Sequence, residues 1–260
     1  MARAWLVLAI IAGVVSPAAA KPAANESSGG EQKSVTKKKT KKKTTKKKSK
    51  RSGAASARLP EGKLRGARAD NMPRGFTWPP SQQMLEAEKA CEARLDAAGV
   101  VWKRADRDGR MVDAITIEHM TLGGIAFSNA WGGKGPYKLD CQLAVALETI
   151  GTELYAIGVR EVKFGSIYRW SKVRAYGKTK NLLSRHALGI AMDVVSFVDD
   201  KGRVATVKTD YPNNDPLLLS IEQTVNGSGK FRTVLTPKND PVSHSDHFHL
   251  EAATDFTATP

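Results

Sequence analysis

Apolar side chains recur along this chain at two spacings, and each spacing marks a kind of element. From Ser81 to Ala98 the positions Met84, Ala87, Cys91 and Leu95 fall three or four apart, after Pro79-Pro80 and before Gly99, which predicts a helix over 81–98. A second, more apolar helix is predicted over 139–157, carrying Cys141, Val145 and Leu154. Aliphatic and β-branched runs predict strands over 112–117, 161–168, 191–198 and 231–235. In a last strand, 247–252, the residues His247, His249 and Glu251 alternate with Phe248 and Leu250, so the polar three share one face and the apolar pair the other. Helices mixed with such strands indicate an α+β fold: a small, mainly antiparallel sheet with flanking helices.

The N-terminal quarter shows neither spacing. Residues 1–20 hold Arg3, an apolar stretch from Trp5 to Val15 and then Ala18-Ala19-Ala20, the layout of a secretory signal peptide with a small-residue cleavage site. The mature chain is then expected to begin at Lys21, in the periplasm or cell envelope, and no other run is apolar enough to span a membrane. Residues 21–70 contain almost no large apolar side chain, too little to offset chain entropy, and read as a disordered Lys-rich tail. Within it Lys33 to Arg51 holds twelve Lys or Arg and no acid, so of the formal net charge of +15 only +3 belongs to the rest of the chain. Anionic envelope polymers or lipid head groups are the expected partners of this run, with a solvated spacer as the alternative. Nucleic acid is not expected, because no aromatic or helical reading element accompanies the charge. The remaining 71–260, about 190 residues, suffices for one domain with a sizeable core.

Four of the five histidines fall in two short segments, His186 within Ser184 to Asp193, and His244, His247 and His249 within His244 to Glu251. Imidazole and carboxylate are the usual ligands of a catalytic zinc, which takes three side chains and leaves one position for water. His186, Asp193 and His249 form such a set, with Asp193 on the strand 191–198 and His186 in the turn before it, where Gly189 allows a tight bend. The isolated His119 reads as a structural residue, and His244 and Glu251 as outer or surface groups. The only two cysteines, Cys91 and Cys141, read in an exported chain as one intramolecular disulfide closing a loop of about fifty residues.

Ser184-x-His186-x-x-Gly189-x-Ala191-x-Asp193, followed by Asp246-His247-x-His249, resembles the paired signature of the zinc peptidases that include D-Ala-D-Ala carboxypeptidases and dipeptidases, penicillin-insensitive murein endopeptidases and the zinc-bearing hedgehog domain. Gly165 to Arg169 resembles the strand that carries a substrate-side arginine in that group, and across Cys91 to Glu251 the order of elements is most similar to the bacterial extensin-like C-terminal domain. The resemblance implies one Zn2+ held by His186, Asp193 and His249 on the sheet face, Asp246 as general base, His247 stabilising the transition state, and Arg169 steadying the oxyanion or a substrate carboxylate, with Arg174 close enough to serve instead. It implies a peptidase acting on peptidoglycan peptides; the alternative is a zinc-bearing binding or structural module without turnover. Asp246 stands where some members have Glu, and the cysteine that extensin-like domains often carry before the last motif is absent from Thr224 to Phe231. Which bond is cut is not written in the motifs, although 171–183 and 199–215 are placed to wall a cleft.

Overall fold

The computed structural model describes residues 71–258 apart from 176, so the expected signal peptide (1–20) and the Lys-rich tail (21–70) lie outside the described residues. Ser81 opens the first helix, its hydroxyl accepting from the Met84 N–H at 3.3 Å and so satisfying a donor that the first turn cannot pair. This helix, α1 (Gln82–Ala97), buries Met84, Glu88, Cys91 and Leu95 as one stripe. Then come β1 (Lys103–Arg104), β2 (Ala114–Ile117), the hairpin of β3 (Thr121–Leu122) and β4 (Ile125–Asn129), and β5 (Tyr137–Asp140). Strands β1, β2 and β5 make a small antiparallel sheet. Asp140 ends β5 and caps α2 (Cys141–Ala156), accepting from the Gln142 N–H at 3.0 Å. Because α2 is apolar nearly all round, it is buried nearly all round, packed between α1 and the main sheet. The expected disulfide is present: Cys91 on α1 is bonded to Cys141 at the start of α2, Cα to Cα 6.1 Å.

The chain continues through β6 (Val159–Ser166), the hairpin of β7 (Lys172–Ala175) and β8 (Lys178–Leu183), β9 (Ala191–Asp199), β10 (Val204–Thr206), α3 (Val207–Asp210), α4 (Pro216–Gly227), β11 (Phe231–Leu235) and β12 (Phe248–Ala252). The main sheet runs β11-β12-β9-β6-β4-β3, with β10 paired to β9. Its β4–β6 pair is parallel and its other pairs are antiparallel, so the fold is α+β with a mainly antiparallel sheet as expected, but the sheet has seven strands rather than being small. The strands that enlarge it, β3, β4 and β10, are two to five residues long, too short for a period-2 signal. Helix α4 is also beyond the elements expected, although Asp215 caps it, Pro216 opens it, and Leu218, Ile221 and Val225 are buried at helical spacing.

Alternation divides the sheet into two faces. On β12, Phe248, Leu250 and Ala252 enter the core, and on β9, Met192 and Val194 do the same. His249, Glu251 and Asp193 therefore point to the opposite face, away from α2. No helix among the described residues is long and apolar enough to cross a membrane.

Candidate metal centre

Antiparallel pairing brings the site together. His249 on β12 lies directly across from Asp193 on β9, and Asp193 in turn lies across from Ser166 on β6. His186 comes from a single 3-10 turn, residues 185–188, capped by the Ser184 hydroxyl and ended by Gly189 in the left-handed conformation at φ +68°. A Cβ at residue 189 would stand 2.8 Å from the Asp140 backbone nitrogen, so only glycine fits both the turn and the packing.

Three atoms converge. His186 Nε2 is 3.1 Å from Asp193 Oδ1 and 3.2 Å from His249 Nδ1, and His249 Nδ1 is 2.9 Å from Asp193 Oδ1. Tetrahedral ligands at zinc–nitrogen or zinc–oxygen lengths of ~2.0 Å stand about 3.3 Å apart, so the spacing suits one small divalent ion. The remaining atoms of these side chains are engaged. His186 Nδ1 donates to the Ile167 carbonyl at 2.6 Å, His249 Nε2 donates to Glu251 at 3.2 Å, and Asp193 Oδ2 accepts from the Ser166 hydroxyl at 2.7 Å and from Arg169 Nη2 at 3.1 Å. Such outer bonds fix the tautomer and aim of each ligand. Glu251 is itself paired with Arg232.

The electrostatics follow from these contacts. Burial opposes charge on Asp193, but hydrogen bonds from His186 and His249 outweigh it and hold the carboxyl well below the usual carboxylate range. Burial likewise opposes charge on Glu251, and His249, Arg232 and Arg185 bring it down to about 2. Burial lowers His186. It would lower His249 too, yet Asp193 and Glu251 on its two ring nitrogens raise that residue to about 9, so a metal ion binding at Nδ1 would have to displace a proton.

The other expected residues gather at the rim. His247 precedes β12 rather than beginning it; its Nε2 lies 3.5 Å from Asp193 Oδ1 and its Nδ1 is bonded to Asp246 Oδ1 at 2.7 Å. Asp246 is half exposed and touches the cluster through His247. His247 stands outside the group of three whose ligand atoms all lie within 4.8 Å of one another. Arg169 is three residues past the end of β6, not on the strand, and its guanidinium engages Asp193, whereas Arg174 on β7 lines the cleft wall. His244 donates from Nδ1 to Asp240 at 2.9 Å, and its ring lies 5.0 Å from that of His247 and 5.1 Å from that of His249. Burial and the two neighbouring rings hold it neutral, down to about 4. His119 is exposed and separate from the cluster. The bonds of Ser166 to Asp193, of the Ile167 carbonyl to His186 and of Arg232 to Glu251 were not expected from the sequence; they come from strand pairing and backbone geometry.

All of this opens into a cleft of about 1870 Å³ across the sheet face, walled on one side by the β7–β8 hairpin and reaching Thr206 and Lys208, as 171–183 and 199–215 were placed to do. A second group of potential ligands, Cys91, Asp113 and Cys141, is not available to a metal ion, because its sulfurs are joined to each other.

The family model described as "Extensin-like protein C-terminus" matches residues 89–259. No curated protein and no solved structure matches the chain. The match spans well over half of the chain, and the protein belongs to the extensin-like C-terminal family.

Proposed function

We propose that this extensin-like protein is an exported zinc-dependent peptidase that cuts an amide bond in peptidoglycan peptides. The observation that carries the proposal is the convergence of His186 Nε2, Asp193 Oδ1 and His249 Nδ1 within 3.2 Å while every other polar atom of the three is held by a partner. Three protein ligands on an open cleft are the composition of a catalytic site; a structural zinc closes its fourth position with another side chain. The donor set would also hold other divalent ions, and zinc is the choice its imidazoles favour. Zinc held there would lower the pKa of a bound water to near 7 and polarise the scissile carbonyl.

The chain's own groups supply the rest. Asp246 takes up the proton the attacking water loses, and its hydrogen bond to His247 Nδ1 aims His247 Nε2 into the site. As the carbonyl carbon becomes tetrahedral, negative charge gathers on its oxygen, where His247 donates and the Arg169 guanidinium, half exposed beside Asp193, adds positive charge. One such donor is worth about 3 to 4 kcal/mol. The proton held by Asp246 then passes to the departing amine, so the products are one carboxylate and one free amine.

The test is incubation of the zinc-loaded full chain with isolated peptidoglycan and defined muropeptides, read by mass spectrometry beside Asp246→Ala and a chelated control. Release of D-alanine, or scission of a cross-link, that disappears in both controls is the expected result. Stoichiometric zinc with no product would transfer the site to the alternative, a zinc-bearing envelope module without turnover. The lysine run 33–51 is proposed to tether the enzyme to anionic envelope polymers or lipid head groups; salt-dependent envelope binding should vanish when it is deleted.

A further inference from the structure

The loop after β4 is held more tightly than its composition requires. Asn129 Oδ1 accepts from the N–H groups of Trp131 at 2.9 Å and Gly133 at 3.2 Å, and its amide donates to the Gly165 carbonyl of β6. The Ala130 N–H bonds to Phe164, and the Tyr137 hydroxyl donates to Gly133 at 2.7 Å. What this clamp holds is one large side chain, Trp131, which is 74% exposed. The loop holds this indole in water at the cleft instead of burying it.

The place is informative. Trp131 lines the same cleft as the three ligands, and its Nε1 and Cζ2 lie 3.8 Å from where a Cβ on Gly165 would stand. Gly165 is the neighbour of Ser166, which bonds to Asp193, so the indole lies on the order of 10 Å from the metal centre, judged from Cα and strand spacings. Lys163, Gly165 and Ser196 line the cleft beside it. One flat aromatic face with Val195 beside it, and the ammonium and hydroxyl groups of Lys163 and Ser196 on the same lining, suit a ligand with an apolar face and a polar edge. A pyranose ring fits this arrangement, its C–H face on the indole and its hydroxyl and acetamido groups toward the polar neighbours.

We infer that Trp131 is a stacking platform for an amino-sugar ring of the glycan strand, so that this cleft takes its peptide still attached to sugar. The inference rests on the peptidoglycan reading above and extends it from the peptide to the glycan.

A test with no scissile bond and no metal keeps the two apart. The metal-free full chain is titrated by calorimetry with a neutral β-1,4-linked N-acetylglucosamine hexamer, which the basic tail does not attract. Saturable binding is expected, weakened at least tenfold by Trp131→Ala, less by Trp131→Phe, and unchanged by Trp170→Ala, a control that is also exposed but outside the cleft lining. Absence of binding by the unaltered chain at millimolar sugar, or equal binding by Trp131→Ala, would overturn the inference whether or not the protein hydrolyses anything. With turnover established, kcat/KM for a disaccharide-peptide should fall about tenfold in Trp131→Ala while that for the free peptide stays the same.

Discussion

Among the described residues two buried groups of ionisable side chains are built on opposite plans. On the open face of the main sheet, His186, Asp193 and His249 turn one atom each toward a common point and tie the others to Ile167, Ser166, Arg169 and Glu251. Beside the disulfide, Glu88, Glu92, Asp113 and Asp140 crowd four carboxyls between α1 and the small sheet, with Arg104 paired to Glu92 and Arg107 to Glu88. There Asp140 accepts backbone N–H bonds from Val112, Asp113 and Gln142, whereas neither oxygen of Asp113 has a hydrogen-bond partner. Burial alone does not mark a functional site. What separates the two groups is that the first has its outer valences filled and its inner ones aimed together, while the second carries an acid kept buried by its neighbours.

The sharpest way to break the comparison is to remove an aimed atom. His186→Ala or Asp193→Asn should leave a folded protein that loses stoichiometric zinc on gel filtration and metal analysis, with hydrolysis down by at least ~10³-fold, beyond the 10 to 100-fold typical of outer partners. Asp113→Asn should keep its full complement of metal. Zinc retained by both ligand variants would show that the convergence is not a binding site.

The second effect concerns the disulfide on which the carboxyl group sits. Replacing Cys91 and Cys141 together by alanine opens a loop of 50 residues, and chain entropy puts the loss near 4 kcal/mol, visible as a lower denaturation midpoint. Zinc bound per folded molecule should not change, since the ligands lie on β9, β12 and the turn before β9.

How much of this was legible in the sequence depends on distance along the chain. His186, Asp193 and His249 could be read because ligand type and spacing survive without coordinates, and the face of β12 followed from strict alternation. Ser166 could not, since it lies 27 residues from Asp193 and meets it only once β6 pairs with β9. Arg169 was legible as a residue but not in its position, because β6 ends at Ser166 and the turn beyond delivers the guanidinium. Short strands such as β3 and β10 exist only through their pairing partners. The carboxyl group around Asp113 left no trace in spacing, since its members come from α1, β5 and the segment before β2.

The third effect reads the proton on Asp113. Burial first, then the charges of Asp140, Glu92 and Glu88, push its carboxyl up to about 8, while Arg104 opposes them; in the unfolded chain it returns to about 4. The folded state therefore keeps a proton that the unfolded state releases. Its contribution is complete below pH ~4 and is lost as pH rises through about 8, so stability should decline across that window. Asp113→Asn removes the titration and should flatten the slope, leaving the variant more stable than the parent at pH 8 by about a few kcal/mol, the order that proton linkage sets for a buried acid. Denaturant curves at pH 5, 7 and 9 decide it; parallel curves for the two proteins would mean that Asp113 is ionised in the fold.

The smallest effect tests the same chemical change on the other side of the comparison. Glu251→Gln replaces a carboxylate by an amide just as Asp113→Asn does, but here the charge is supported: His249 donates to it and Arg232 is paired with it. The amide oxygen can still accept from His249 Nε2, so the tautomer that exposes Nδ1 survives, while the negative charge that makes the ring a stronger donor is gone. Zinc affinity, measured by competition with a chelator, should weaken about tenfold, at the low end of the range for outer carboxylates, and Glu251→Ala, which removes the acceptor as well, should fall toward 100-fold. One substitution type thus stabilises the protein where the acid lacks donors and weakens its metal centre where the acid is fully engaged. Equal zinc affinity in Glu251→Gln and the parent would show that Asp193 and the ring geometry alone define the site.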